Sequence, residues 1–130
     1  MQIGVAREHG PREHRVSLAP WGVQALVQHG HQVWVEAGAG LEAGHTDAEY
    51  EASGARIVYS RMEVFARSEL LTGVFAPEPR EYELLHPGQA VFAFWAMPTV
   101  HPEDFRALQS CAVTAIGIEG VVDSLGRAPM

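Results

Sequence analysis

Lysine is absent from this 130-residue sequence, and all nine basic residues are arginine. Sixteen acidic residues outweigh them and give a net charge of −7. Without lysine, no side-chain amine is available as a nucleophile or as a Schiff-base partner. Because the charge balance is acidic and no basic run occurs, a nucleic-acid-binding surface is not predicted.

Long apolar runs are also missing, and the sequence has a single cysteine. No stretch approaches the ~20 apolar residues of a membrane helix, and the N-terminus has a strand pattern rather than that of a signal peptide. Cys111 cannot form an internal disulfide, and we interpret it as a small core residue rather than a nucleophile. We therefore expect a cytoplasmic protein without a membrane partner.

Histidines are frequent, but their spacing does not indicate a metal site. His9 and His14 share one loop, and His29 and His31 flank Gly30. Neither pair has a cysteine or carboxylate at the spacing of metal ligands, so we predict surface or turn histidines. The three tryptophans are expected in the core or in an interface: Trp21, Trp34 and Trp95.

Short apolar segments alternate with helical patterns along the whole sequence, without tight hairpins between them. This alternation predicts a single α/β domain over residues 1–130, with three layers and a mainly parallel sheet covered by helices on both faces. Thr46 with Glu49, and Ser60 with Glu63, have the spacing of capping boxes that begin helices. The most apolar run, residues 90–96, is the predicted central strand. The predicted strands are residues 3–6, 31–36, 56–58, 70–75, 90–96 and 112–116.

The loop between the first strand and the first helix, residues 7–20, is the first candidate binding site. It carries Arg7, Arg12 and Arg15 beside the N-terminus of the coming helix, a combination that favours an anion. Loops of this kind hold ligands in α/β proteins. Alternatively, the arginines are solvated and balanced by Glu8 and Glu13.

A glycine cluster, Gly38-Ala39-Gly40, is not a dinucleotide-binding fingerprint. It lacks the G-x-G-x-x-G spacing, and no helix begins directly after it. The cluster therefore ends the preceding strand and provides no cofactor-binding residue.

Several motifs in a fixed order resemble a known family. They are IGVARE at residues 3–8, EHRVSLAP at 13–20, GHQV at 30–33 and EAGAG at 36–40, followed by DAEY, GARIV, LLHPGQ and VTAI. The sequence resembles the N-terminal segment of alanine dehydrogenases and of the NAD(P)-binding subunit of proton-translocating transhydrogenases. The resemblance covers nearly the whole chain and implies the flavodoxin-like or Rossmann-like substrate-side domain of that family.

The resemblance also implies roles for individual positions. In alanine dehydrogenases this domain presents an arginine, a lysine and a histidine to the substrate. The arginine matches Arg15, whose guanidinium can bind a carboxylate, so Arg15 is the predicted substrate-binding residue. The lysine and histidine positions are Phe75 and Ala96, which can neither donate to a carbonyl nor transfer a proton. We therefore predict no catalytic residue, with His101 as an alternative proton-transfer group.

Three functional hypotheses follow from the resemblance. The leading one is an N-terminal domain that is catalytically incomplete and binds no cofactor on its own, although the full-length family uses NAD(P). It would need a homo-oligomer or a separate nucleotide-binding half as its partner, since family members continue into a Rossmann domain and helices that cover this one. The second is a non-enzymatic module that binds a small carboxylate similar to pyruvate or alanine, or mediates assembly. The third is a fragment of a longer NAD(P)-dependent amino-acid or 2-oxoacid oxidoreductase.

Overall fold

One six-stranded sheet forms the centre of the protein in the computed structural model, which describes residues 1–10, 12–96 and 99–128. Its strands are β1 (Gln2–Val5), β2 (Gln32–Glu36), β3 (Arg56–Val58), β4 (Leu70–Phe75), β5 (Ala90–Phe94) and β6 (Thr114–Gly117). The α-helices of the described residues are α1 (Pro20–Gln28), α2 (Asp47–Ala52), α3 (Arg61–Arg67) and α4 (Pro102–Ser110). Short 3₁₀ segments occur at Leu41–Ala43, Pro79–Leu84 and Ile118–Gly120.

All neighbouring strands pair in parallel, in the order β3-β2-β1-β4-β5-β6. Ile3 of β1 lies opposite Val33 of β2 on one side and Leu70 of β4 on the other. The predicted α/β class with a parallel sheet is confirmed. The predicted central position of the most apolar run is wrong, because β1 and β4 occupy the centre and β5 lies next to the edge strand β6.

The sheet carries a hydrophobic core on each face. One core joins buried side chains of β1 and β2, such as Val5 and Val35, to Val23 of α1 and Tyr50 of α2. The other joins β4 and β5 to α3, α4 and the 3₁₀ segment Pro79–Leu84; its buried members include Phe65, Leu71, Tyr82, Val91 and Leu108. The layered arrangement therefore has helices on both faces, as the alternating pattern predicted.

Gly4 lets α3 and its following turn approach the central strand. A methyl group at Gly4 would overlap the hydroxyl of Ser68, which is itself 1% exposed and donates to the carbonyl of Val64. No side chain larger than hydrogen fits between β1 and this turn without displacing it. The glycine of the IGVARE motif is thus a packing requirement.

Helix starts and strand ends differ in part from the sequence-based predictions. The Thr46 capping box is confirmed, because Glu49 N donates to Thr46 Oγ1 and Thr46 N donates to Glu49 Oε2 at 2.7 Å. Ser60 makes no such side-chain bond, and the Glu63 side chain pairs with Arg67 one turn later. The predicted strand 90–96 ends at Phe94, and the predicted strand 112–116 begins at Thr114.

The first face of the sheet is covered unevenly. On that face α1 and α2 pack against β1, β2 and β3, whereas β4, β5 and β6 carry partly exposed apolar side chains. Phe94 is 38% exposed and Ile116 is 40% exposed, although both belong to strands. Of the predicted core or interface tryptophans, Trp34 and Trp95 are buried, while Trp21 on α1 is 77% exposed.

Candidate functional site at the carboxyl ends of the strands

The candidate site lies where the strand order reverses, between β1 and β4, at the carboxyl ends of the strands. Connections from these two central strands leave in opposite directions, which opens a crevice at that edge of the sheet. Arg15 comes from the loop after β1, Phe75 ends β4, and Ala96 follows β5. Folding therefore brings to one edge the three positions that the sequence comparison with the family singled out.

The Arg15 guanidinium is hydrogen-bonded to a carboxylate of the protein itself. Its Nε and Nη2 atoms donate to the two oxygens of Glu13, each at 2.7 Å, and its Cζ lies 5.6 Å from the centre of the Phe75 ring. Hydrogen bonds from Arg15 lower the pKa of Glu13 to about 2, and the same side-chain bond raises the pKa of Arg15. The Arg15 side chain remains 66% exposed. The Arg15 guanidinium thus binds a carboxylate through two donors, and its side chain is accessible to solvent.

Two hydrogen bonds hold the loop just after Arg15, one to the sheet and one to α2. The hydroxyl of Ser17 donates to the carbonyl of Thr72 in β4 at 3.0 Å, and the buried hydroxyl of Tyr50 donates to the carbonyl of Leu18 at 2.8 Å. These bonds hold residues 17 and 18 against the sheet and against α2. Arg15 therefore extends from an anchored piece of backbone.

Glu8 joins the same loop to the end of β4. Its carboxylate accepts from the backbone N–H of Val74 at 2.7 Å and of Phe75 at 3.2 Å. Burial raises the pKa of Glu8 more than these amide donors lower it. Glu8 is thus bonded to the backbone of β4, and the carboxylate that is hydrogen-bonded to Arg15 is that of Glu13.

Phe75 and Phe94 form an aromatic wall beside Arg15. The rings meet edge to face, with centroids 6.1 Å apart and an interplanar angle of 76°, because a bulge in β4 brings Phe75 opposite Phe94. Ala96 follows with φ of 46°, in the left-handed region. The N–H groups of Trp95 and Ala96 both donate to Glu119 at 3.2 Å. A cavity of about 240 Å³ lies against Phe75, Phe94, Ala96 and His101.

His101, the alternative proton-transfer group, therefore borders the same cavity as Ala96. It precedes α4 as the N-cap residue and is exposed. Met97 and Pro98, between these two positions, lie outside the described residues. The role of His101 stays a prediction.

Beneath the aromatic wall lies an ion-pair network that the sequence did not indicate. Arg61, at the start of α3, pairs through Nε with Glu81, and its Nη1 donates to Glu36 at 3.2 Å and to the carbonyl of Arg7 at 2.6 Å. Burial raises the pKa of Glu81, but the bonds from Arg61 and from a backbone amide outweigh it and leave the pKa lowered. The network ties the ends of β1 and β2 to α3 and to the 3₁₀ segment Pro79–Leu84.

The predicted cluster of arginines is dispersed and outnumbered by carboxylates. Arg7 and Arg15 border one cavity of about 340 Å³, which is also lined by Glu8, Glu13, Glu36 and Glu42. Arg7 pairs with Glu42 at 3.5 Å rather than adding its charge to Arg15. Arg15 is therefore the member of the cluster that combines an aromatic support with a bidentate carboxylate partner.

Histidines of the loop bind carboxylates of the chain. His9 Nε2 lies 3.0 Å from Glu81 and His14 Nδ1 lies 2.6 Å from Glu42. Across residues 1–10, 12–96 and 99–128, no group of three or more metal-binding side chains comes together. Within the same ranges, no helix has the length and apolar character needed to cross a membrane.

Comparisons with known proteins identify the relatives of this chain. Residues 4–130 match the family model described as "Alanine dehydrogenase/PNT, N-terminal domain". The chain is 40% identical over 121 residues to an alanine dehydrogenase of Methanococcus maripaludis, covering 93% of this chain and 32% of that protein. It is 35% identical over 130 residues to an alanine dehydrogenase of Mycobacterium tuberculosis, covering 100% and 35%.

Solved structures give the same result. An L-alanine dehydrogenase superposes with a TM-score of 0.92 at 35% identity, covering 99% of this chain and 35% of that chain. A transhydrogenase from Sinorhizobium meliloti superposes with a TM-score of 0.82 at 29% identity, covering 92% and 35%. The 130 residues thus span about a third of the length of the relatives they match.

Proposed function

The chain belongs to the alanine dehydrogenase/PNT N-terminal domain family, and from that premise we propose that it is the substrate-side part of an NAD(P)-linked protein, in which Arg15 binds a small carboxylate. The observation that carries the proposal is the contact of Arg15 with Glu13, in which two donors meet two carboxylate oxygens at 2.7 Å. A ligand carboxylate would take the place of Glu13 on the same edge of the guanidinium. Paired N–H donors in this geometry favour carboxylates over single-atom acceptors.

Glu13 competes with a ligand for the same edge of Arg15. The Arg15 side chain is 66% exposed, but that of Glu13 is only 11% exposed, so displacement of Glu13 opposes binding. Removing the competitor with Glu13→Gln should therefore raise the affinity of Arg15 for carboxylates.

Proton transfer is not part of the proposed role of this chain. The family positions that would carry the lysine and the histidine are Phe75 and Ala96, and neither side chain exchanges a proton. General acid–base catalysis contributes ~10²–10⁴-fold to rates, so we propose that the 130 residues alone do not oxidise alanine. Alanine-dependent formation of NADH by the purified chain would contradict this.

NAD(P) does not fit the residues described. The strand order is the one found in dinucleotide-binding domains, but the loop after β1 has none of the required glycine spacing. Instead Glu8 occupies the amides at the end of β4. We propose that the nucleotide binds in a separate domain or partner, and that the assembly is a homo-oligomer or includes such a nucleotide-binding half.

We also propose that the protein is cytoplasmic, in keeping with its single cysteine.

Calorimetric titration of the 130-residue chain with pyruvate, L-alanine and related acids tests the carboxylate site. We expect saturable binding that Arg15→Ala abolishes. Arg80→Ala is the matched control, because Arg80 is 68% exposed and pairs with Glu78 at 2.7 Å but lies in the segment Pro79–Leu84. Absence of heat with every acid, or equal binding by the Arg15→Ala variant, would refute the proposal.

A further inference from the structure

The aromatic wall next to Arg15 is partly exposed to solvent. Phe75 is 46% exposed and Phe94 is 38% exposed, and the two rings meet edge to face. Arg15 lies over the Phe75 ring, so a cation and two aromatic faces are contiguous. A ligand held by the guanidinium through its carboxylate would place the rest of its body against carbon atoms of these rings.

Around this wall the cavity is mainly apolar. Besides Phe75, Phe94 and Ala96, it is lined by Pro77, Tyr82 and Trp95, and its volume is about 240 Å³. Even a cavity of about 150 Å³ accepts benzene, so this one is large enough for an aryl ring. The polar residues of its lining are Thr99, His101, which is the N-cap residue of α4, and Asp104 in the first turn of α4.

We infer that the ligand of this site is a carboxylate with an aromatic or bulky apolar side chain, such as an aryl 2-oxo or 2-amino acid, rather than a compound as small as pyruvate or alanine. The inference rests on the proposed function, because it needs Arg15 to bind the carboxylate. A methyl group on such a ligand would reach little of the wall. An aryl ring would extend past Phe75, which borders both Arg15 and the cavity, toward Phe94 and the cavity.

The gain from the ring can be bounded. Full burial of a Phe-sized side chain corresponds to ~1.5–3 kcal/mol. A half-buried ring therefore strengthens binding by about four- to twelvefold. A ratio of this size between the two dissociation constants can be measured by titration, even when both ligands bind with millimolar affinity.

The test compares pyruvate and phenylpyruvate, which share the 2-oxo carboxylate and differ only in the ring. Amide chemical shifts of the ¹⁵N-labelled 130-residue chain are followed during each titration to obtain the two dissociation constants. The variants are Phe75→Ala, Phe94→Ala and Arg15→Ala. Phe105→Ala is the matched control, because Phe105 is 43% exposed but lies on α4 outside the cavity lining.

We expect phenylpyruvate to bind about four- to twelvefold more tightly than pyruvate. Phe94→Ala should reduce that preference to about twofold or less with the pyruvate constant unchanged. Phe75→Ala should reduce the preference and also weaken pyruvate binding, because Arg15 loses the ring beneath it. Phe105→Ala should leave both constants unchanged. Equal, Arg15-dependent affinities for the two acids would overturn the inference and leave the proposed function intact. Binding of neither acid, or a preference for phenylpyruvate that persists in Arg15→Ala, would overturn both.

Discussion

Arg61→Met removes the centre of the ion-pair network beneath the site. The Arg61 side chain is 20% exposed and its partner Glu81 only 6%. Arg61 also donates to Glu36 and to the carbonyl of Arg7, so the change loosens the start of the loop that carries Arg15. Methionine keeps most of the apolar contact of the arginine stem, which isolates the effect of the charge.

The expected loss is large because the carboxylate stays behind. After the substitution, Glu81 keeps the N–H of Glu78 at 2.8 Å and His9 at 3.0 Å, but has no permanent positive charge beside it. Breaking a buried pair from one side costs ~3–5 kcal/mol. We expect the free energy of unfolding, measured with urea and followed by circular dichroism, to fall by that amount at pH 7.

The loss should depend on pH. In the unchanged protein the pKa of Glu81 is lowered, since Arg61 and the amide of Glu78 outweigh burial. Its stabilising contribution is therefore present above the pKa of an unfolded glutamate, about 4.3, and disappears as pH falls through the lower folded value. Without Arg61, burial dominates and the pKa is raised, so the protonated carboxyl is favoured in the folded variant. The difference between the two proteins should therefore begin to narrow above about pH 4.3, as Glu81 of the variant takes up a proton, and continue to narrow as pH falls through the lowered pKa of the unchanged protein.

Two further variants make the test decisive. Arg80→Met removes an exposed pair with Glu78 and should cost less than ~1 kcal/mol. In the double variant Arg61→Met/Glu81→Gln the charge of Glu81 is removed, while Glu36, whose side chain is 18% exposed, still lacks Arg61. About 2 kcal/mol of the loss should therefore return, but not all of it. A loss for Arg61→Met no larger than that for Arg80→Met, or no recovery in the double variant, would refute the reasoning.

Two buried polar side chains give the remaining predictions. Tyr50→Phe should lower the free energy of unfolding by ~0.5–1.5 kcal/mol because Leu18 loses its donor. Since burial raises the pKa of Tyr50 to about 12, the folded protein should lose stability as pH rises from about 10 to 12, and an equally steep decline in the Phe variant would contradict this. Gln89→Leu leaves the carbonyls of Phe65 and Ser68, each bonded at 2.8 Å, without the Gln89 donor. It should cost about 2–5 kcal/mol in urea denaturation, and a cost below 1 kcal/mol would show that these carbonyls find other donors.

Much of the fold follows from local pattern. Alternating strand and helix signals predicted the parallel α/β sheet, and the Thr46 capping box forms as its spacing indicates. The position of each strand within the sheet is not a local property. Residues 90–94 are as apolar as a central strand because α4 and the segment Pro79–Leu84 bury one side of β5, while Phe94 on the other side remains partly exposed.

The site was predictable to a lesser degree. The resemblance assigned Arg15, Phe75 and Ala96 to one site, and the structure places all three at one edge of the sheet, with Arg15 over Phe75 and with Phe75 and Ala96 lining one cavity. The partners of these residues come from distant parts of the chain and leave no signal at short spacing. Arg61 and Glu81 are 20 residues apart, and Glu8 binds amides 66 and 67 residues away. Only the folded sheet reveals that Glu13, rather than Glu8, holds Arg15.

The strand order has a consequence for how the chain acquires its structure. Residues 1–58 contain β1, β2 and β3 with α1 and α2, so this half can pair among near neighbours as soon as it leaves the ribosome. The pairing of β1 with β4 forms later, because it joins residues far apart in sequence, such as Gln2 and Glu69, which are 67 residues apart. Closing so long a loop is slow relative to local pairing. Until β4 pairs, the edge of β1 and the face of β1 and β2 that α3 later covers are exposed. Such unpaired edges and apolar faces are the surfaces that chaperones bind and that promote aggregation.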